Sequence, residues 1–216
     1  MSPAFDDLTA RARIRDAALR LFAERGMDAA TVRDIARAAG VSPGLVRHHF
    51  GSKEALRDAC DAYALDRVMN IKEQAVVDRR LAVPGFMPSM QPTILLMKQY
   101  VARAMLDGSP AAAAMFDDMV DLTEAWLAKH NPGHARDPRA FAAVLVSMNL
   151  GMLVMHSHLT RVLGADVLAP EGHIRTMRAA AEVMSKPLID ADLASQIDKA
   201  FDLLESEPPA KEHPDD

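Results

Sequence analysis

Cysteine is almost absent from this chain of 216 residues. Cys60 stands alone, which excludes a disulfide framework within the chain and suits a reducing compartment. Catalytic signatures are missing as well. There is no Gly-x-Ser-x-Gly, no phosphate-binding P-loop and no glycine-rich dinucleotide fingerprint. Ser157 beside His158 is mere adjacency, because neighbours on a helix diverge. His156 and His158 would project from a helix to nearly opposite sides, and His130 and His134 flank a Pro-Gly turn without a cysteine or carboxylate cluster. No catalytic residue, metal or cofactor is therefore expected. The first ten residues, MSPAFDDLTA, have neither a basic nor an apolar run, so no secretory signal is expected and a cytoplasmic location is. No stretch alternates with period two as a strand would, and no internal repeat is visible.

Acidic and basic residues are scarce in one place, residues 140–160, AFAAVLVSMNLGMLVMHSHLT, which carry none at all. That length raises a transmembrane reading. Ser147, Asn149, His156, Ser157 and His158 interrupt the apolar character, and charges lie close to both ends, so the membrane reading is rejected. A helix apolar nearly all round also arises when one face meets its own core and another meets a second subunit.

What is present is concentrated in residues 31 to 53, TVRDIARAAGVSPGLVRHHFGSK. Thr31 can cap a helix over Val32 to Ala38, and Ala39-Gly40 can end it, with glycine where a left-handed residue is needed. Ser42 can cap a second helix, with Pro43 at the first helical position, where its missing N–H costs nothing. About four residues join the two helices, the length of a helix-turn-helix connection. Ala36 is small where the helices would cross. Ile35, Val41 and Val46 are apolar where a shared core needs them.

The region from about Arg11 to Leu56 resembles the DNA-binding domain of the TetR family of transcriptional regulators. IRDAALRLFAERGMDAAT supplies a first helix with Ile14, Ala17, Ala18, Leu21 and Phe22 on one face and Gly26 as its stop. VRDIARAAGVS supplies the second, and PGLVRHHFGSKEAL supplies the third with its exit. The resemblance implies a double-stranded DNA operator as partner. Thr31 and Lys53 would hold phosphates at the edges of the site, and Ser42 would serve both its cap and a phosphate. Arg33 would reach a base or the backbone, and Pro43, Gly44 and Leu45 would meet base edges. Arg47 and His49 would follow one turn later, with His48 beside them. The family usually has tyrosine at Arg47 and often at His49. Arginine can donate two hydrogen bonds to a guanine edge, which tyrosine cannot, so a shifted sequence preference or a phosphate clamp follows. Phe50 is expected in the core, and Cys60 is expected to pack on the next helix.

Charge supports a division of labour. Residues 1–55 hold nine Lys/Arg and seven Asp/Glu, net +2, and the chain as a whole carries −5, which leaves −7 on the remainder. A mildly basic head on an acidic body suits a DNA reader with a separate second domain. The excess is small, so non-specific affinity should be weak and salt-dependent.

Punctuation by Pro, Gly and Asn predicts an all-α chain. Helices are expected over Lys53–Arg79, Thr93–Leu106, Pro110–His130, Pro138–Leu163, Glu171–Ser185 and Ala191–Leu204, with VPGFMPSMQP as a break. Expected domains are a helix-turn-helix head at 1–52, a helical ligand-binding and dimerisation body at 53–205, and a disordered acidic tail at 206–216. The resemblance further implies a homodimer through the helices at about 138–163 and 171–185. Two heads could then read a palindromic operator. Eleven of the fourteen methionines lie between Met87 and Met184. Methionine suits surfaces that must fit varied apolar partners, and the family's body holds an effector pocket. Met97, Tyr100, Met105, Met119, Trp126, Met152 and Met155 are candidate lining residues for a small apolar or neutral effector, with ordinary core filling as the alternative for each. The expected function is a ligand-released repressor. An activator, an auxiliary DNA-binding factor without a small-molecule ligand, and an enzyme on a DNA tether are the alternatives.

Overall fold

The computed structural model describes the backbone of residues 3–206 except 107 and 134, and side chains from Thr9 onward with the same two exceptions. Residues 207–216 of the expected acidic tail lie outside the described residues. So does His134. Among the described residues every regular element is helical.

Helix α1 (Pro3–Arg25) turns Ile14, Ala17, Ala18, Leu21 and Phe22 inward, and Gly26 ends it in a left-handed conformation, φ 82°, as the sequence suggested. Helices α2 (Val32–Ala39) and α3 (Pro43–Phe50) follow, then α4 (Lys53–Lys72). Helix α1 packs on α2, α4 and α5, and α6 packs along α7. Ile14, Leu19, Ile35, Leu56, Cys60, Met97 and Met115 are the largest fully buried side chains among the described residues, so one core runs from α1–α4 into the helices that follow.

The body departs from the expected boundaries in three places. The fourth helix leaves α geometry at Lys72 and runs through one π turn, Glu73–Val77. Arg79 then stops it in the left-handed region, φ 52°, before a 3-10 turn at Arg80–Ala82. At the start of this turn the Glu73 carboxylate accepts from two side chains of α6 (Pro110–His130) and lies close to a third, described below.

Helix α5 (Phe86–Leu106) begins well before Thr93. Buried Phe86 anchors its start, with the Arg80 guanidinium 5.0 Å from the ring centre. Pro88 falls in the first turn, where a missing N–H is harmless, and the helix also carries Pro92 in its interior.

The helix expected over Pro138–Leu163 is two helices, α7 (Pro138–Val154) and α8 (His156–Leu163), bent by 62°. Met155 leaves helical geometry at ψ 14°. His156 Nδ1 lies 2.9 Å from the Leu153 carbonyl, an acceptor that an unbroken helix would offer to residue 157. No single described helix is long and apolar enough to cross a membrane, and α7 and α8 reach that length only as this bent pair.

Helices α9 (Pro170–Ser185) and α10 (Ala191–Ser206) complete the described chain. Contacts divide it into two compact units, Met1–His173 and Ile174–Asp216. In the first, Gly172 approaches the backbone of Asp166 so closely that any Cβ would overlap it. In the second, α10 buries none of its described residues, and Leu193, Ile197, Phe201 and Leu204 form an exposed apolar stripe at helical spacing.

Candidate nucleic-acid interface

The head is built from caps. Thr31 Oγ1 accepts from the Asp34 N–H at 3.1 Å, and the Asp34 carboxylate accepts from the Thr31 hydroxyl at 2.6 Å and its backbone N–H at 3.4 Å. This reciprocal capping box fixes the start of α2. The Thr31 hydrogen bond also holds the Asp34 carboxyl below its usual range, and Arg37 at 3.0 Å adds to that. Gly40 ends α2 at φ 66°, and its N–H reaches back to Ala36 and Arg37 carbonyls. Ser42 Oγ then accepts from the Leu45 N–H at 3.1 Å and caps α3 behind Pro43. Ser52 repeats the device for α4, accepting from the Ala55 N–H at 3.0 Å.

These caps set which face of α3 is free. Val46 and Phe50, one turn apart, are buried, so Phe50 is a core residue as expected. Arg11 stacks its guanidinium 4.9 Å from the Phe50 ring centre. The rest of α3 turns outward. Pro43, Gly44, Arg47 and His48 are exposed, and Leu45 and His49 are half-buried. The His48 and His49 rings meet edge to face at 5.4 Å. Thr31, Arg33 and Ser42 are exposed on the same small domain. Lys53 is half-buried, and its ammonium donates to the Asp28 carbonyl at 3.4 Å, which ties α4 to the loop before α2. All ten residues singled out for DNA thus keep at least partial access to solvent. Cys60 is fully buried on α4, donates weakly to the Arg15 carbonyl at 3.7 Å, and burial drives its thiol pKa upward.

The seven residues proposed for an effector do not share one environment. Met97 and Tyr100 are buried core, and Met105 and Met119 pack half-buried against that core. The Tyr100 hydroxyl donates to Asp61, whose other oxygen lies 3.7 Å from Arg57. Met152 is half-buried, and Met155, at the α7–α8 break, is exposed. Trp126 is half-buried elsewhere. Its indole N–H donates to Glu73 at 3.1 Å, while Lys72 sits 3.9 Å from its ring centre. Lys129 and His130 also reach Glu73, at 3.3 Å and 3.2 Å. A cleft of about 370 Å³ opens between α1 and α5, and of the seven only Tyr100 lines it.

Sequence reading did not single out Asp28, Asp34 or Glu73. Asp34 was legible, since it follows Thr31 at capping-box spacing. Asp28 acts through its backbone carbonyl, and Glu73 acts only across the fold, so neither left a local signal.

An α2–turn–α3 pair with one face of α3 exposed beside arginine, histidine and lysine defines a helix-turn-helix reader of DNA. Residues 14–60 match the model of bacterial regulatory proteins of the tetR family, and residues 94–191 match a tetracyclin repressor-like C-terminal domain. The transcriptional regulatory protein RaaS of Mycobacterium tuberculosis is 36% identical over 171 residues, 74% of this chain and 78% of that one. The transcriptional repressor KstR2 of Rhodococcus jostii is 36% identical over 113 residues, about half of each chain. In fold, the chain is similar to GusR of Salmonella enterica, with TM-score 0.51, 23% identity, and coverage of 74% of this chain and 89% of that one. It is also similar to a regulator from Streptomyces coelicolor, with TM-score 0.50, 19% identity, and coverage of 95% and 100%. The chain belongs to the TetR family: it is a DNA-binding transcriptional regulator and not an enzyme.

Proposed function

We propose that this regulator is a repressor that binds a palindromic operator as a homodimer and leaves it when a small molecule binds the body. The observation that carries the reading is the partition of α3, with Val46 and Phe50 inward and Gly44, Arg47 and His48 outward. In this reading residues 1–52 are the head and 53–205 the body. Pro43, Gly44, Leu45, Arg47 and His49 meet bases, with His48 beside them. Arg33 meets a base or the backbone. Thr31, Ser42 and Lys53 hold phosphates, which fixes register without reading sequence.

The dimer reading is supported by α7. Phe141, Val144 and Met148 are large, apolar and exposed at helical spacing along it, and Met155 just beyond its end is exposed as well. Ile174, Val183 and Met184 of α9 are exposed as well. Covering such residues with a symmetry-related copy brings two heads to one operator. The repressor sign is supported by the relative from Rhodococcus jostii, which carries that name. The effector reading rests on the methionine-rich body, where Met105, Met119 and Met152 are half-buried. An effector releases DNA only if it binds the non-binding conformer more tightly.

Selection of genomic fragments by the purified protein, at two salt concentrations, tests the reading. A short palindrome that survives at higher salt is the expected result. Recovery of sequence-indifferent fragments that vanish with salt would overturn it.

A further inference from the structure

The cleft of about 370 Å³ between α1 and α5 carries a feature that the regulator reading does not use. Three arginines line it: Arg25 at the end of α1, Arg57 on α4 and Arg103 on α5. One is buried. Arg57 is 8% exposed, and its Nε lies 3.7 Å from Asp61, which does not line the cleft. Arg103 donates to the Glu24 carbonyl at 3.4 Å, so it spends one N–H on a neutral acceptor and keeps its full charge. Asp28 is the acidic residue among the described residues of the lining. Among the described residues of the lining, three arginines stand with one carboxylate around a space large enough for a small ligand, and Asp61 faces Arg57 from behind it. Like charges so placed repel one another, and a bound anion relieves that repulsion.

The remaining wall limits the ligand class. Phe22, Met27 and Tyr100 present apolar surface. The Tyr100 hydroxyl already donates to Asp61, so its ring and not its hydroxyl is what it offers. Guanidinium groups match the paired oxygens of carboxylates and phosphates. We infer that this cleft binds a small amphiphilic anion, a carboxylate or a phosphate monoester with a compact apolar body. The arginines take the anionic group, and Phe22, Met27 and Tyr100 take the remainder. Its consequence for DNA rests on the regulator reading. The loop Gly26–Ala29 that lines the cleft leads directly to Thr31, and an anion shared by Arg25 and Arg103 ties the head to the body.

The test is calorimetric titration of the full-length protein with phenylacetate, phenyl phosphate and neutral phenylacetamide. Saturable binding of at least one anion is expected, with the amide at least about tenfold weaker. The first two probes decide between carboxylate and phosphate. Arg25→Met and Arg103→Met change exposed side chains, and circular dichroism verifies that each remains helical. Each should weaken the preferred anion by about tenfold or more. If neither anion binds, if the amide binds as well as the anions, or if both variants bind unchanged, the inference is wrong. A protein that selects a palindrome but binds neither anion loses this site and keeps the regulator reading. A protein that binds the anion but selects no DNA does the reverse.

Discussion

Arg47 and Lys53 carry the same charge into different surroundings. Arg47 is exposed on the outward face of α3, where its planar fork can meet a base edge. Lys53 is half-buried at the start of α4 and already bonded to the Asp28 carbonyl, a geometry suited to one phosphate at the rim. Arg47→Ala should therefore cost roughly 1–3 kcal/mol on the preferred operator and relax base preference. Lys53→Ala should weaken all sequences alike and reduce the salt slope by about one. Fluorescence anisotropy on operator and scrambled duplexes, across a salt series, separates the two. Identical behaviour of the variants would make Arg47 a phosphate contact. A second residue prediction concerns His173, buried on α9 with its Nδ1 3.4 Å from the Lys98 ammonium. Burial, then the Lys98 charge, lowers its pKa from 6.5 to about 4. The folded state thus takes up this proton later than the unfolded chain. Stability from this site is complete above pH 6.5 and is lost as pH falls toward 4. Burial also lowers Lys98 from 10.5 to about 8, so stability should rise between those values for the same reason. Thermal melts of the unsubstituted protein and His173→Gln across pH 4–6.5 check this, and equal slopes would show that His173 does not titrate as described.

Elements whose ends are set by local chemistry were legible, and elements whose ends are set by distant contacts were not. Thr31, Gly40, Ser42 and Pro43 place the boundaries of α2 and α3 through bonds within a few residues, so the sequence contains the cause. The ten candidates for DNA contact follow from the family resemblance that this same segment carries. The π turn after α4 begins at Glu73, whose partners lie on α6 far along the chain, and the α7–α8 bend has no proline to announce it. VPGFMPSMQP misled because Pro88 lies where a helix tolerates proline and buried Phe86 holds the start of α5. The effector candidates rest on residue type and on the pocket that the family resemblance implies, and neither distinguishes core filling from a cavity wall at a given residue. The π turn gives a prediction at this scale. Burial works against ionisation of Glu73, but hydrogen bonds from Lys129 and Trp126 outweigh it and hold the carboxyl below its usual range. Glu73→Ala removes the acceptor from Trp126 and Lys129 and the carboxylate 3.2 Å from His130. Trp126 is the sole tryptophan, so intrinsic emission reports this place. A shifted emission spectrum and faster hydrogen exchange over 73–77 are expected. An unchanged spectrum would mean that the indole keeps its surroundings without Glu73.

At the scale of the molecule, the charge-free run over 140–160 was the clearest sequence sign that something beyond the chain's own core is being served. The fold sharpens that sign. Helix α7 turns Ala142 and Val146 into a small core with Val120 of α6, and Arg139 fastens its start to Asp121 at 2.7 Å and Glu124 at 3.1 Å. What those contacts leave outside is Val144, 59% exposed, and Met148, 55% exposed, one turn apart. In a monomer both would remain in water. In a dimer they would join the interface, which for a stable pair must bury on the order of 1,200–2,000 Å² in all. A double substitution, Val144→Glu with Met148→Glu, puts two like charges into that surface and leaves the buried Ala142–Val146 face intact. Sedimentation velocity should then show a monomer with unchanged helical content. Operator affinity should fall by about 100-fold or more, because each head must bind alone and the second contact is no longer intramolecular. Loss of DNA binding with the dimer intact would place the lesion in the heads. A persistent dimer with intact DNA binding would move the interface off α7, and the exposed stripe of α10 would be the next surface to charge.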